Sequence, residues 1–273
     1  MNIWQADFYH LPLLEREQQR RWELIICDAA GKFVHTTQCF SEEANSQWLE
    51  QQLREAAKGH FPEKIAIFRP QALSLLTIAA ENLKIPIEAT RHTPALKKEL
   101  SHRYTKTFPN YNPLDLEKPP PQALPENILG EEWQIANIVA GEIVDLFCDR
   151  PIPILNLPEA FLPINLGIAS DVSIPGIVVY GGKRSMIIAR WIEHQVPAFI
   201  NYIPTEVGKS GGLILETGLV DRWIFNTFES ESVAQGAVNY EQKKQAAKGL
   251  HFLLIQPDNS GMTSTAFWLL KQD

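Results

Sequence analysis

The chain has 273 residues, of which 45% are hydrophobic and 21% are charged, and its formal net charge is −7 at pH 7. These are globular values, and the length suits one large domain or two ordinary ones. The negative charge excludes a protein coated in positive potential, so any nucleic-acid-binding surface must be local. Three cysteines without a CxxC spacing, Cys27, Cys39 and Cys148, indicate free thiols rather than disulfides or a zinc site.

The sequence also gives expectations about location. It shows no positively charged leader followed by an apolar run, and no transit segment rich in Arg and Ser. Proline and charged residues interrupt every apolar run before it reaches the ~18 residues of a membrane-spanning helix. We therefore expect a soluble, cytoplasmic protein without membrane insertion.

A β-hairpin signal organises the first part of the chain. Residues 22–40 contain two runs rich in apolar and β-branched side chains around a small-residue turn at 29–31. A short strand is predicted before the hairpin, within residues 2–14, and a charged, exposed turn at residues 15–21. A helix is predicted directly after it, with Ser41 as the capping residue.

The next segments predict a strand–helix–strand unit, with a strand at residues 65–68, a helix that opens at Pro70 and a strand at 86–89. The resulting hairpin–helix–strand–helix–strand order is similar to the ribonuclease-H-like topology. In that topology Asp28 would stand where an acid binds a catalytic metal. Two-metal hydrolysis needs several converging carboxylates, and Arg69 follows the next strand where a second acid would be required. The incomplete acid set disfavours a nuclease.

Residues 93–108 predict a helix with a basic face. Leu96, Leu100 and Tyr104 form one stripe at helical spacing, and a stripe of cations lies two positions away from it. The full basic group comprises Arg91, His92, Lys97, Lys98, His102, Arg103 and Lys106. A solvated helix face and a phosphate-binding surface would both show this pattern, and both interpretations stay open.

Residues 109–125 contain six prolines in 17 residues, which excludes a helix or a central strand and favours an extended connector. A ligand for an aromatic groove is the disfavoured alternative. We therefore predict an N-terminal α/β half at residues 1–108 and a C-terminal α/β half at residues 126–273, joined by this connector.

The second half repeats the order of parts. Residues 213–228 predict a strand pair, residues 229–248 a helix, and residues 250–256 and 263–270 the closing strands. Residues 177–198 predict a second strand–helix–strand unit, which would pair in parallel through a right-handed crossover. The predicted fold class is α/β, with two loosely repeated mixed α/β halves. A duplication is not required, because any α/β protein repeats such units.

The glycine motifs do not form a nucleotide-binding loop. Ile203 stands where the first glycine before Gly208 should be, and Ile177 stands in the same position before Gly182. The two glycines and two cations of residues 181–184 could still hold a backbone phosphate at a helix N-terminus. A tight turn that requires glycine is the favoured interpretation.

The sequence contains no Ser/His/Asp signature and no HxxxH or HExxH spacing. Cys27 lies in an apolar strand, where a packing role is favoured. We predict a protein that is not an enzyme and that uses no cofactor and no metal. Arg21-Trp22 and Arg222-Trp223 each place an aromatic ring beside a cation, a combination that can stack an unpaired base.

Seven short segments carry a family resemblance when their order and spacing are taken together. They are residues 4–9, 22–28, 119–125, 215–218, 221–223, 249–252 and 267–270. Over essentially its whole length the chain resembles the Tab/Atab family of RNA-binding proteins of oxygenic phototrophs. The closing Trp268-Leu269-Leu270 is a recognised mark of that family. His92 departs from the pattern, because the family would have a second arginine after Arg91.

The resemblance implies a non-catalytic protein that binds A/U-rich, single-stranded RNA. It implies a role in the translation and accumulation of photosystem subunits, of photosystem I in particular and also of photosystem II. Together with the lack of a transit segment it indicates a cyanobacterial member, and we expect translation machinery or photosystem subunits as additional partners. From the grouping of cations we expect the RNA site at Arg91, Lys97, Lys98, Arg103, Tyr104 and Lys106, extended by Lys183, Arg184 and Arg222.

Two other functions stay open at this point. The first is an assembly factor that binds photosystem polypeptides without direct RNA contact. The second is a ribonuclease-H-like nuclease, which would require magnesium and Asp28.

Overall fold

The computed structural model describes residues 2–12, 20–107, 112–148, 150–206 and 209–272, with the side chains of 104–107 excepted. The chain divides into two compact units, Met1–Glu117 and Lys118–Asp273. Fourteen strands in three mixed sheets and six α-helices among these residues confirm the α/β class. The predicted domain boundaries at 1–108, 109–125 and 126–273 stay a prediction. Most of the turn predicted at 15–21 lies outside the described residues.

The first unit is a five-stranded sheet with three helices. Its elements are β1 (Ile3–His10), β2 (Arg21–Asp28), β3 (Val34–Phe40), α1 (Ser46–Ala57), β4 (Lys64–Ile67), α2 (Pro70–Asn82), β5 (Ile87–Ala89) and α3 (Pro94–Thr107). The strand order is β3-β2-β1-β4-β5. The predicted hairpin is confirmed, because β2 and β3 pair antiparallel. The parallel pairing of β4 and β5 around α2 is confirmed as well.

The predicted cap of α1 is wrong by four residues. The helix is capped by Asn45, whose side-chain oxygen accepts the backbone N–H of Trp48 at 2.9 Å. The residues from Ser41 onward first form a turn after β3, in which the N–H of Glu43 donates to the carbonyl of Phe40. Asparagine is as good a cap as serine, so composition alone did not separate the two positions.

Strand β1 lies in the middle of the sheet and is buried on both faces. Ala6 and Phe8 belong to the apolar cluster under α1 and α2. Tyr9 belongs to a second cluster on the opposite face, together with Leu96 and Leu100 of α3. Because side chains alternate along a strand, helices cover this sheet on both sides.

The face that carries α3 contains a buried ion pair. Asp7 on β1 is fully buried, and Arg69, directly before α2, donates from Nε to both of its carboxylate oxygens at 2.9 and 3.0 Å. Arg69 also donates from Nη2 to the carbonyl of Pro113 at 2.7 Å. Burial raises the pKa of Asp7 from 3.8 to about 6, although the Arg69 guanidinium acts in the opposite direction.

Asp28 does not occupy the place predicted for it. It lies at the end of β2, the second strand, and its Oδ1 accepts the backbone N–H groups of Lys32 and Phe33, both at 2.7 Å. The acid on the strand beside β4 is Asp7, and an arginine faces it. Asp28 therefore shapes the hairpin turn. The ribonuclease-H-like topology of this half stays a prediction.

The second unit contains two sheets. Its elements are β6 (Gln122–Ala123), β7 (Glu132–Val139), α4 (Ile143–Phe147), β8 (Ile154–Asn156), β9 (Ser173–Tyr180), α5 (Ser185–Gln195), β10 (Pro197–Glu206), β11 (Ser210–Thr217), β12 (Asp221–Phe228), α6 (Glu231–Ala246), β13 (Leu250–Gln256) and β14 (Ala266–Lys271). One sheet has the order β10-β11-β12-β6 and the other the order β7-β9-β13-β14-β8.

The parallel pairing predicted for residues 177–198 is wrong. Strand β10 pairs antiparallel with β11, its neighbour in sequence, while β9 pairs with β13 and β7 in the other sheet. Strand β10 forms a local hairpin with β11 instead of pairing with β9. The hydrophobic periodicity of the sequence does not distinguish these two pairings. The predicted strand pair, helix and closing strands of this half are confirmed by β11, β12, α6, β13 and β14. Two residues of the proline-rich segment form β6, which is too short to leave a sequence pattern.

The closing strand β14 is a core element. Trp268 and Leu270 belong to one apolar cluster, and Phe267 and Leu269 belong to the other. The Trp-Leu-Leu sequence is therefore buried on both faces of its sheet. Among the described residues, no helix is both long and apolar enough to cross a membrane.

Side chains from α6 and β13 form hydrogen bonds with main-chain groups on the outer edge of β10. The N–H of Ile200 donates to Nε2 of His251 at 2.9 Å, and its carbonyl accepts from Nζ of the buried Lys244 at 2.8 Å. The N–H of Tyr202 donates to Glu241 at 2.8 Å. Burial lowers the pKa of Lys244, and burial with the nearby Lys244 charge lowers the pKa of His251 to about 3. These contacts attach α6 and β13 to β10.

Replacing Arg69 by methionine tests the Asp7 pair. Arg69→Met removes the cation that faces a buried carboxyl group, and breaking a buried pair typically lowers the free energy of unfolding by about 3–5 kcal/mol. Only the ionised carboxylate is attracted by Arg69, so we expect the loss to be smallest below pH 6 and to grow as the pH rises above 6. Urea denaturation at pH 5 and pH 8 measures this difference.

Arg54→Met is the matched control, because Arg54 forms an exposed pair with Glu50 on α1 at 2.7 Å. Exposed pairs contribute little, so its effect should be small and similar at both pH values. An Arg69→Met effect that does not depend on pH would contradict the buried-pair interpretation.

Candidate nucleic-acid interface

Helix α3 is fixed to the sheet by one face. Leu96 and Leu100 are fully buried against the sheet, and the N–H of Leu96 donates to Oε1 of Gln5 on β1 at 2.9 Å. Lys98 and His102 are exposed, whereas Lys97 is partly exposed. The helix and the buried part of its apolar stripe are confirmed, and the outer face presents the cations that the sequence placed opposite.

One predicted cation is buried, and another is partly exposed but bonded to the sheet. Arg91 is only 9% exposed. Arg103 donates from Nη1 to Oγ1 of Thr36 at 2.6 Å, and its Nη2 lies 3.8 Å from Oε1 of Glu23. Glu23 is itself buried and accepts hydrogen bonds from Tyr9 and Gln38. Arg103 therefore faces a buried carboxylate and ties α3 to β2 and β3.

The side chains of Tyr104 and Lys106 lie outside the described residues, although α3 continues through both positions. Their roles in RNA binding stay predictions. The same holds for the other predicted RNA-binding residues, whose positions are known but whose contacts with RNA are not tested.

Lys183 and Arg184 lie directly before α5 in the second unit. Lys183 is exposed and Arg184 is partly exposed, and neither side chain has a hydrogen-bonding or ionic partner within the described residues. Gly182 has a φ of +54°, and a Cβ there would lie 2.1 Å from Oε1 of Glu131. The positive φ favours glycine here, and the carboxylate of Glu131, the end of a flexible side chain, lies over the turn considered as a phosphate nest. Any phosphate contact must come from the two side chains.

Arg222 and its neighbour Trp223 stabilise the hairpin of β11 and β12. Arg222 donates from Nε to the buried Glu216 at 3.0 Å, and the two residues lie opposite each other on β12 and β11. The indole N–H of Trp223 donates to Oγ1 of Thr217 at 3.1 Å, and its ring contacts Trp191 edge-on at 5.0 Å. The 215–218 and 221–223 segments therefore build one turn together.

The other cation–aromatic pair is also part of the fold. Trp22 stacks on Phe8 with ring centroids 4.8 Å apart, and Nη1 of Arg21 donates to Gln38 at 3.2 Å. Lys209, from the rejected glycine motif, pairs with Glu206 at 2.6 Å. Gly208 of that motif lies outside the described residues.

The cysteines are free thiols. Cys27 and Cys39 are buried, and burial raises their pKa values to about 12 and about 11, respectively. A thiol with a raised pKa is a poor nucleophile, which agrees with a packing role for Cys27. In the part of the chain that the structure describes, no group of three or more His, Cys, Asp and Glu side chains is arranged to hold a metal.

One feature was not predicted, a cavity of about 510 Å³ in the second unit. Its walls come from residues 123–133, from β9, from α5 and from residues 224–227 of β12. These segments are up to about a hundred positions apart in sequence, so no local spacing could reveal it.

Two family patterns match most of the chain. The pattern described as "RNA-binding protein Tab2/Atab2 N terminal" matches residues 3–103, and the pattern described as "RNA-binding protein Tab2/Atab2, C-terminal domain" matches residues 111–271. The chain is 28% identical to "Protein TAB2 homolog, chloroplastic" of Arabidopsis thaliana, over 98% of this chain and 74% of that one. It is 27% identical to the protein of the same name from Zea mays, over 98% of this chain and 70% of that one.

Solved structures overlap with only part of the chain. A simian T-cell lymphotropic virus intasome in complex with PP2A regulatory subunit B56 gamma gives 18% identity and a TM-score of 0.29, over 40% of this chain and 43% of that one. The HTLV-2 integrase catalytic core domain in complex with magnesium gives 18% identity and a TM-score of 0.27, over 42% of this chain and 77% of that one. Overlap at this level assigns neither fold nor activity.

Arg222→Met tests whether this predicted RNA-binding cation supports the hairpin. Because it removes a guanidinium from a buried carboxylate, we expect the free energy of unfolding to fall by roughly 3 kcal/mol. Lys183→Met is the control, because Lys183 is exposed and should change stability by less than about 0.5 kcal/mol. Thermal denaturation followed by circular dichroism compares the two, and equal melting temperatures would show that the Glu216 contact does not support the fold.

Proposed function

Because the chain belongs to the RNA-binding protein Tab2/Atab2 family, we propose that it binds single-stranded RNA through the outer face of α3. The observation that carries this assignment is the position of Lys98 and His102, which are exposed on the side of α3 away from the buried Leu96 and Leu100. An anchored helix with a basic outer face holds its cations at fixed spacing. Affinity for RNA then comes from neutralising several phosphates at once.

The predicted cations take different roles in this interface. Lys97 and Lys98 contact phosphates along α3, and the position of Lys106 lies about two turns further along the same helix. Arg103 positions α3 through its contacts with Thr36 and Glu23 rather than binding phosphate. Arg91 precedes the helix by three residues and is too buried to contribute more than a small part of its guanidinium.

Lys183 and Arg184 form a second phosphate-binding group in the other unit. Their exposure and their lack of partners among the described residues support this role. Arg222 is assigned to the hairpin, because its guanidinium already faces Glu216. Tyr104 is retained as a stacking residue for an unpaired base.

We assign a non-catalytic role to the protein in photosystem biogenesis, with A/U-rich RNA as its target. Preference for such RNA requires unpaired bases that are read by stacking and by contacts to their edges. In line with the family, the bound message would encode a photosystem subunit, of photosystem I in particular, and binding would promote its translation. We also propose that the protein acts in the cytoplasm of a cyanobacterium. Translation machinery or photosystem subunits are its proposed further partners.

Removal of two lysines tests the α3 interface. In the double variant Lys97→Gln/Lys98→Gln we expect weaker binding to an A/U-rich, single-stranded oligonucleotide. The plot of log K against log salt has a negative slope, and each lost phosphate contact makes it less steep by about 0.7 for single strands. The slope of the double variant should therefore be less steep than that of the wild-type protein by about 1.4. Filter binding at several salt concentrations measures both the affinity and the slope.

Lys32→Gln is the matched control, because Lys32 is an exposed lysine of the β2–β3 loop in the same unit. It should leave the slope unchanged. An unchanged slope in the double variant would place the RNA elsewhere. If the wild-type protein retains no RNA and co-purifies with photosystem polypeptides instead, the assembly-factor function replaces the RNA-binding one.

A further inference from the structure

The cavity of the second unit has the size and the lining of a ligand site. Its volume of about 510 Å³ falls within the ~300–1,000 Å³ that is usual for small-molecule pockets. Apolar side chains such as Ile128, Val179 and Ile188 form much of its wall, and Trp133 and Phe225 add aromatic surface. Such a lining accepts the flat, weakly polar ring of an aromatic ligand.

A β-bulge shapes the polar side of the cavity. Leu213 pairs with Asn226 and Ile214 pairs with Ile224, so Phe225 is an extra residue in β12. Bulges redirect side chains and occur often beside binding sites. Asn226 lines the cavity directly after this bulge, and its side-chain amide has no partner within the described residues.

The strand beside the cavity is also incompletely paired. Strand β6 pairs with β12 only at Trp223 and Ile224. In the described part of the second unit, no strand continues along that side of β12 from Phe225 to Thr227, where the cavity begins. Polar groups of the main chain are therefore close to the space that a ligand would fill.

Charges of both signs lie at the cavity. Glu131 and Glu132 line it and present carboxylate oxygens, which accept hydrogen bonds and repel anions. Glu131 lies against Gly182, which places the next two residues, Lys183 and Arg184, beside the rim. A ligand that suits this arrangement has a neutral ring with an amino group inside and a phosphate outside.

We propose that this cavity binds one unpaired adenine of an RNA strand, with the adjoining phosphate held by Lys183 and Arg184. The site rests on the proposed RNA-binding function and adds a base preference to it. An asparagine amide can pair with both N6 and N7 of adenine, and carboxylates accept from an exocyclic amino group. Uracil carries no such amino group.

A second cavity, of about 610 Å³, lies along β11 and β12 and does not support a similar assignment. Ile203, Ile214 and Phe228 contribute to its lining, and Glu229 is its charged residue. No asparagine or glutamine stands among the described residues that line it, so it offers no side-chain amide to pair with a base.

The first experiment measures base discrimination in an RNA strand. Fluorescence anisotropy compares a uridine oligonucleotide with one central adenosine, the same strand with purine riboside in place of adenosine, and the strand of uridine alone. Purine riboside lacks only the amino group. We expect the wild-type protein to bind the adenosine strand about tenfold more tightly than the purine strand.

Asn226→Ala should reduce this ratio severalfold and leave the affinity for the uridine strand unchanged. Asn156→Ala is the matched control, because Asn156 is an exposed asparagine of the same unit on β8 and does not line the cavity. It should keep the wild-type ratio. Equal affinities of the wild-type protein for the adenosine and purine strands would overturn the adenine site while leaving RNA binding intact.

A second measurement does not depend on an RNA strand. Saturation-transfer NMR detects contact between the protein and the ring protons of adenosine 5′-monophosphate. We expect a signal that is lost in Asn226→Ala, kept in Asn156→Ala and weakened in Lys183→Gln/Arg184→Gln. If wild-type protein binds no oligonucleotide but shows this pattern, RNA binding fails and the nucleotide site stands. If the nucleotide gives no signal that depends on Asn226, the cavity is not an adenine site.

Discussion

The contact between Asp7 and Arg69 determines how the first unit is organised. Asp7 lies on a strand that is covered on both faces, so its ionised carboxylate requires a cation beside it. Arg69 supplies that cation and links β1, the start of α2 and Pro113. The second buried acid on this face, Glu23, is faced by Arg103 of α3 in the same way. Both arginines therefore serve the fold, whereas Lys98 and His102 are exposed on the solvent side of α3.

The same constraint explains which parts of the fold could be read from the sequence. The start of α2 at Pro70, the hairpin and the buried stripe of α3 follow from local chemistry. Local chemistry cannot show that Arg103 faces an acid 80 positions earlier in the chain. For the same reason the sequence could not separate lysines that are exposed to solvent from arginines that are committed to buried acids. The cavity could not be predicted from the sequence either, because the segments that line it come together only after folding.

The segments that carry the family resemblance serve packing more than binding. Residues 267–270 lie between two apolar clusters, and Gly249 allows the close approach of Gln272, whose carbonyl oxygen would lie 2.0 Å from a Cβ there. Glu216 and Arg222 hold a hairpin. Such residues identify a family because the core tolerates few substitutions. They do not locate an interface, which has to be sought among exposed residues such as Lys98 and Lys183.

An acidic protein that binds RNA must separate the source of affinity from the source of selectivity. Phosphate contacts are equal for every sequence, and with a net charge of −7 they can be made only where cations gather. Carboxylates near such a group weaken phosphate binding, and Glu131 and Glu132 would therefore be a disadvantage if they served no other purpose. Both are exposed residues of the cavity lining, and in the proposed site they accept from the amino group of a base. The acidic lining and the neighbouring cations then act on different parts of one nucleotide, which reconciles the negative charge of the chain with RNA as its ligand.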